Sequence, residues 1–376
     1  MFLYKSKSGL SMGGSAERRT VAEMEKLVNK SGSTQDLLNY LDEDVPGYSN
    51  YRNLYVIGLF TMAIFALPSN IAVMILLYKK LFWKSNVLLL LFQLSIADIF
   101  VAFFCILGDA IWNVTIQWNG SDGLCRFYKY MQMFALYAST FILTGISIDR
   151  CIAVLFPLSR SCSQGRVLRV RIISVIAWLA ALACAAPQAV IFHTETAPFQ
   201  ADFKQCVTHG AYTEQWQELA YSLTTVIIMF FLPVLVMALC YISIFMRITK
   251  EARQASETGE YLSQHSTVRK ELYSRVRRAT LWMTVVFVLC FIVCWAPYYV
   301  GMFCYILQVS IGSEALNLIF CFGMSSAIIN PFIYAAFSLC SGKNPPTAHG
   351  GSQPVQQILC RRGPQYQLVR RPAYEF

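Results

Sequence analysis

"ISIDRCIAVLF" (residues 146–156) sets an acid and a base, Asp149 and Arg150, side by side in a run that is otherwise almost wholly apolar. Whether that pair interrupts a buried helix or closes the end of a membrane span decides the fold. The chain has 376 residues, 56% of them hydrophobic and only 14% charged, whereas a soluble domain carries about 25% charged residues. Too few charges remain to cover a water-facing surface, and the composition is that of a membrane protein.

Working outward from that stretch, uncharged runs fall at 54–78, 130–148, 172–192, 219–246, 279–307 and 315–339, and a further run, 87–112, is interrupted only by Asp98 and Asp109. Each has about the 20 residues that an α-helix needs to cross a bilayer. The expected fold is all-α, a seven-transmembrane-helix bundle over 54–339. Its crossings are placed at about 54–78, 87–112, 124–156, 170–192, 217–249, 271–307 and 315–339, between flanking segments 1–53 and 340–376.

Basic residues give the orientation. The segment 79–86 carries Lys79, Lys80 and Lys84, 150–171 carries five arginines, and 247–278 is richer still, whereas 113–124, 193–215 and 308–314 hold only Lys204 between them. By the positive-inside rule the N-terminus is extracellular and the C-terminus cytoplasmic. The Asn-x-Ser/Thr sequons at Asn29, Asn113 and Asn119 all fall on the outer side. Asn113 lies too close to the membrane to be modified, which leaves Asn29 and Asn119 as glycosylation candidates.

The first 53 residues, with seven acidic and seven basic side chains and much Gly, Ser and Asn, read as a disordered outer tail without a cleavable signal peptide. The net charge of +10 arises in the inner loops, where it suits anionic membrane lipid and an acidic partner and gives no sign of nucleic-acid binding. Of thirteen cysteines, most read as small buried hydrophobes. Cys125 and Cys206 fall in outer segments facing an oxidising compartment, and they are expected to form a disulfide.

Polar groups within the bilayer are costly and by default functional. Asn70, Asp98 and Asn330 lie at mid-depth of the first, second and seventh crossings, where a carboxylate needs partners, water or a bound cation; a structural polar knot between helices is the competing explanation. Pro68, Pro187, Pro233, Pro297 and Pro331 each remove an intrahelical hydrogen bond and kink a crossing. Kinked helices around a polar centre can hinge.

"LSIAD" (94–98), "SIDRCIAV" (147–154), "CWAPYY" (294–299) and "NPFIY" (330–334), in this order and each in its own crossing, resemble the signature motifs of rhodopsin-like G-protein-coupled receptors. The resemblance covers about 54–339 and implies a multi-pass plasma-membrane receptor, not an enzyme, whose inner partner is a heterotrimeric G protein. In that family the Asp149-Arg150 pair closes the cytoplasmic end of the third helix, and the arginine swings into the G-protein cavity on activation. Asn330, Pro331, Tyr334 and Tyr241 join it as activation residues, and Asp98 with Asn70 and Asn330 becomes a candidate sodium site. Two positions depart from the pattern: Cys151 replaces the usual tyrosine after the pair, and Arg277 stands where an acid often locks the arginine. Any resting restraint is therefore expected mainly within the third helix.

An aminergic aspartate is replaced by Gln132, and the seventh crossing has no lysine for a retinal. Asp109, Asn113, Gln132, Trp295, Tyr298, Tyr299 and Tyr305 instead offer a polar and aromatic cup suited to a peptide. "GDAIWNVT" (108–115), "PQAVIFH" (187–193) and "QCVTHGAYTEQW" (205–216) resemble the gonadotropin-releasing hormone receptor group, whose clan includes adipokinetic hormone and corazonin receptors; "KYMQ" (129–132) is also similar to vasopressin and oxytocin receptors. The resemblance implies a short amidated peptide hormone as ligand and coupling chiefly through Gq to phospholipase C and calcium. Asp109 and Gln132 would meet the peptide's N-terminal part, Asn113 its amidated end and Tyr305 an aromatic between them.

No internal repeat suggests a transporter, no filter loop a channel, and no cluster of His, Asp and Glu a metal site or catalytic centre. Beyond the seventh crossing Cys340 is a palmitoylation candidate, while Pro345-Pro346 would cut short any helix lying along the membrane.

Overall fold

The computed structural model describes residues 50–81, 86–156, 163–196, 203–257, 264–307, 309 and 312–341. Seven of its helical stretches are long and apolar enough to cross a membrane: Arg52–Lys79, Leu88–Thr115, Asp122–Leu155, Val167–Ile191, Trp216–Lys250, Leu281–Cys304 and Glu314–Phe337. Helices are the expected solution, because in lipid every backbone N–H and C=O must be satisfied within its own segment. These spans are first to seventh in chain order.

The first span is helix α1 (Asn50–Leu81). The second runs through α2 (Asn86–Phe100), a π-helical turn at Val101–Leu107, and α3 (Gly108–Thr115). The third is α4 (Asp122–Leu155) and the fourth α5 (Ser163–Ile191). A hairpin of β1 (His193–Thr196) and β2 (Lys204–Val207) follows, antiparallel and in the register His193 to Val207 and Thr194 to Cys206. The fifth span is α6 (Gln215–Val226), a π-helical turn at Ile227–Phe231 and α7 (Leu232–Glu257). The sixth is α8 (Gln264–Ile306), and the seventh is α9 (Ser313–Met324) followed by α10 (Ser326–Ser341).

The third span is the hub, packing against the second, fourth, fifth and sixth, and the seventh packs on the first, second and sixth. Leu59, Ile106, Met133, Ile142, Ile146, Phe287 and Met324 are fully buried between them. Large apolar side chains such as Ile64, Leu179, Phe245 and Val293 stand exposed on the outer faces. In water such a surface would drive aggregation; against lipid it costs nothing.

The prolines lie within the spans, as the sequence places them. Pro68, Pro187, Pro297 and Pro331 lie inside helices, and Pro233 is the second residue of α7, just beyond the π turn of the fifth span. The π turn of the second span has no proline near it. An extra residue there offsets everything beyond it by about 100° around the axis relative to a regular helix, so Asp109 does not stand where its spacing from Asp98 would put it.

Candidate functional site

At one end of the bundle the hairpin is fastened over the mouth. Cys206 in β2 is disulfide-bonded to Cys125 in the first turn of α4. Asp122 accepts from the Thr194 backbone N–H at 2.8 Å and from Arg126 Nε at 2.7 Å. Gln205 donates to the Ile116 carbonyl at 2.6 Å and accepts from Trp112 Nε1 at 3.3 Å. The expected pairing of the outer cysteines is thus present, buried under Phe192, Trp112 and Trp118.

Beneath the hairpin lies a buried polar group. Gln132 Nε2 faces the Asp109 carboxylate at 2.9 Å, the Phe104 carbonyl at 3.0 Å and the Tyr128 hydroxyl at 2.7 Å. An amide nitrogen has two protons. Three acceptors thus share two protons, and the Tyr128 hydroxyl in turn donates to Asp109 at 3.4 Å. Phe104 lies in the π turn, so Gln132 also clasps the irregular backbone of the second span. Its carbonyl, Oε1, is buried without a hydrogen-bond partner among the described residues.

Asp109 is only 9% exposed. Its hydrogen-bond partners, Gln132 and Tyr128, both come from the third span. Lys129 is buried too, with Nζ 4.1 Å from the Trp112 ring centroid and 5.2 Å from that of Phe192, a cation–π seat. Asn113 turns its amide back onto the Asp109 carbonyl at 2.8 Å. Tyr128 was not foreseen, although it stands four residues before Gln132 and hence on the same helical face. The Tyr305 side chain lies outside the described residues.

One turn deeper the site becomes aromatic. A narrow cavity of ≈ 10 Å³ is lined by Leu136, Met229, Trp295, Tyr298, Tyr299 and Phe320 among others, room for about one water molecule. As it stands it is too small for a peptide side chain, which could enter only if the lining rings moved apart. Phe230 stacks on Tyr299 at 4.7 Å, Tyr298 packs on Phe320 at 5.1 Å, and Trp295 Nε1 donates to Ser326 at 3.2 Å. The expected single cup is therefore two compartments, a polar one under the hairpin and an aromatic one below.

At mid-depth Asp98 accepts from Asn330 Nδ2 at 2.8 Å and from Ser139 Oγ at 2.7 Å, beside a small cavity of ≈ 10 Å³ that Pro331 and Tyr334 also line. Carboxylate and hydroxyl oxygens suit a hard cation such as sodium, although Asn330 presents its N–H to Asp98 and not its oxygen. Asn70, expected in this group, does something else. It donates to the carbonyls of Ala66 at 2.9 Å and Ala327 at 2.8 Å. Ala327 is four residues before Pro331, so its carbonyl is the one that proline leaves without a donor; Asn70 restores the bond across helices.

At the far end, Asp149 is fully buried and forms an ion pair with Arg150. Arg169 of the fourth span reaches the same carboxylate, with Nη2 at 2.7 Å and Nε at 2.9 Å. The expectation that Arg150 is restrained within the third helix holds for Arg150 itself and misses this second cation, which stands twenty residues away and leaves no local signal. Tyr241 of the fifth span is placed beside Ser147, Thr284 and Arg150. The side chains of Arg277 and Cys340 lie outside the described residues, as does Asn29 entirely. Asn119 is exposed in the loop before α4. Among the described residues no group of three or more His, Cys, Asp or Glu side chains could hold a metal.

A seven-span bundle with a disulfide-fastened mouth, a buried polar and aromatic interior and a charged pair at the opposite end defines a plasma-membrane receptor, not an enzyme. The family description "7 transmembrane receptor (rhodopsin family)" matches residues 69–334, and the chain belongs to that family. It is 33% identical over 312 residues to the gonadotropin-releasing hormone receptor of Octopus vulgaris, covering 80% of this chain and 75% of that one. It is 32% identical to the gonadotropin-releasing hormone II receptor of Clarias gariepinus, over 78% of each chain. With the corresponding receptor of Callithrix jacchus it shares 35% identity, over 66% of this chain and 64% of that one.

Proposed function

We propose that this chain is a cell-surface receptor for a short amidated peptide of the gonadotropin-releasing hormone type, which it couples chiefly through Gq to phospholipase C and calcium. The observation that carries the reading is the likeness to the Octopus vulgaris receptor over 80% of the chain. The disulfide-bearing end faces outward, preceded by an outer tail (1–53), and the receptor domain (54–339) leads into a cytoplasmic tail (340–376). Asn29 and Asn119 carry glycans, and Cys340 is the site for an acyl chain.

The interior suits such a ligand. Gln132 Oε1 is a buried acceptor in want of a donor, and a backbone or terminal amide N–H supplies one. Asp109 stands beside it for a polar or cationic group near the peptide's N-terminus, while an aromatic side chain enters by parting the rings of Trp295, Tyr298 and Tyr299. Asn113 lines the approach and meets the amidated end of the peptide, and Tyr305 is assigned to an aromatic in the peptide's middle. At the inner end Arg150 is the residue that leaves Asp149 to meet the G protein, with Tyr241, Tyr334 and the Asn330-Pro331 turn rearranging around it. A sodium ion on Asp98 and Ser139 belongs to the uncoupled state.

The test is calcium release in transfected cells challenged with gonadotropin-releasing hormone, adipokinetic hormone, corazonin and vasopressin-type peptides, repeated in cells lacking Gq-class α subunits. The reading expects the greatest potency from the first peptide and loss of the signal without Gq. A preference for one of the other three reassigns the ligand, and a signal that survives without Gq overturns the coupling.

A further inference from the structure

Asp149 holds two arginines, and it holds them unequally. Its Oδ2 accepts from Arg150, whereas its Oδ1 accepts both Nε and Nη2 of Arg169, at 2.9 and 2.7 Å. The carboxylate is fully buried, and the two arginine side chains are only 16% and 12% exposed. Arg150 Nε lies buried without a hydrogen-bond partner among the described residues. Arg150 is thus the looser of the two cations.

Breaking a buried ion pair is costly chiefly because the partner left behind is an uncompensated charge in a poorly solvated place. In this cluster that penalty is relieved. If Arg150 departs, Asp149 keeps the planar guanidinium of Arg169, which is suited to holding a carboxylate through more than one N–H.

We propose that Arg169 is a standing counter-ion that keeps Asp149 compensated when Arg150 leaves it, so that this residue of the fourth span sets how readily the receptor engages its G protein. The inference rests on Arg150 being the coupling arginine. Arg169 itself is a positioning residue; it acts through Asp149 and need not touch the partner. The sign distinguishes this role from a lock. Were Arg169 one bar of a resting lock, its removal would raise basal activity. As a counter-ion its removal makes Arg150 the only cation on a buried carboxylate, and activity falls.

The experiment uses full-length receptor in membranes with purified Gq heterotrimer, reading nucleotide exchange with and without a synthetic amidated gonadotropin-releasing hormone peptide, normalised to surface receptor. Arg169→Gln is expected to lower basal exchange and to shift peptide potency by tenfold or more. Arg169→Lys, which keeps the charge, should recover most of the loss. In an Asp149→Asn receptor, which has no carboxylate to compensate, adding Arg169→Gln should change nothing further. Unchanged or raised exchange in Arg169→Gln, or losses that simply add in the double variant, would overturn the proposal. Should Arg169→Gln fail to reach the surface, the double variant decides: restored delivery supports a charge-compensating role, and continued failure makes Arg169 merely structural. Arg150→Ala serves as the reference. Wild-type exchange in that variant overturns the coupling role of Arg150 itself, whereas its loss alongside normal Arg169→Gln exchange overturns only the role given to Arg169.

Discussion

At the scale of single residues, the buried polar group under the hairpin makes two predictions that separate ligand contact from internal support. Asp109 already has Gln132 and Tyr128 as neighbours, so an effect of mutation is not by itself proof of contact. If the carboxylate also receives a polar group of the peptide, Asp109→Asn should cost roughly 1.5–3 kcal/mol, a loss of potency of about ten- to a hundredfold. The deciding measurement combines Asp109→Asn with a peptide lacking the polar side chain near its N-terminus. Strong non-additivity supports contact, and two losses that add return Asp109 to a structural role. Gly108 offers a control in the next position. A Cβ there would run into the Tyr128 hydroxyl and stand 2.7 Å from its Cε2. Tyr128 cannot easily retreat, since Trp112 and Trp118 pack on its ring at 6.0 and 5.6 Å. Gly108→Ala is therefore expected to destabilise the mouth by about 1–3 kcal/mol, seen as a lower melting temperature of the purified receptor and weaker peptide binding. Unaltered stability and binding would show that Tyr128 is free to move.

At the scale of elements, the disulfide is the covalent cross-link that ties the hairpin to the third span, closing 81 residues of chain. Cys206→Ala should release β2 from α4, cost on the order of 2–4 kcal/mol and abolish peptide binding at the cell surface; normal binding would count against the hairpin as part of the site. The seven spans and this bridge were legible in the sequence because they depend on composition and on compartment, which are properties of whole segments. What was not legible depends on rotation about a helix axis or on partners far along the chain. The π turn at Val101–Leu107 carries no proline to announce it, and it is held by Gln132 from another helix. Asn70 and Pro331 were each readable as important, but not that one donates to the carbonyl freed by the other. Arg169 was counted among the basic residues of an inner loop, and only the packing of the fourth span on the third brings it to Asp149.

At the scale of the whole molecule, Gln132 and Arg150 sit on one continuous helix, eighteen residues apart and so about 27 Å along its axis at 1.5 Å per residue. No ligand in the outer compartments can touch Arg150, so a signal between them must be a coupling free energy carried by the bundle, and such coupling is reciprocal. A peptide that favours the state in which Arg150 has left Asp149 must itself bind more tightly when a G protein holds that state. Arg150→Ala removes the inner contact without altering the outer site. It is accordingly expected to suppress calcium release while leaving the binding of an antagonist peptide within about twofold, because an antagonist draws little on the coupled state. Agonist affinity gives the sharper reading. In wild-type membranes it should fall by about 5- to 150-fold when excess guanine nucleotide uncouples the G protein, the span of a typical coupling free energy. In Arg150→Ala membranes it should already sit at the lower value and ignore the nucleotide. An agonist affinity that still responds to guanine nucleotide in Arg150→Ala would mean that the inner end engages its partner without the arginine, and the charged pair at residues 149 and 150 would then serve the helix end alone.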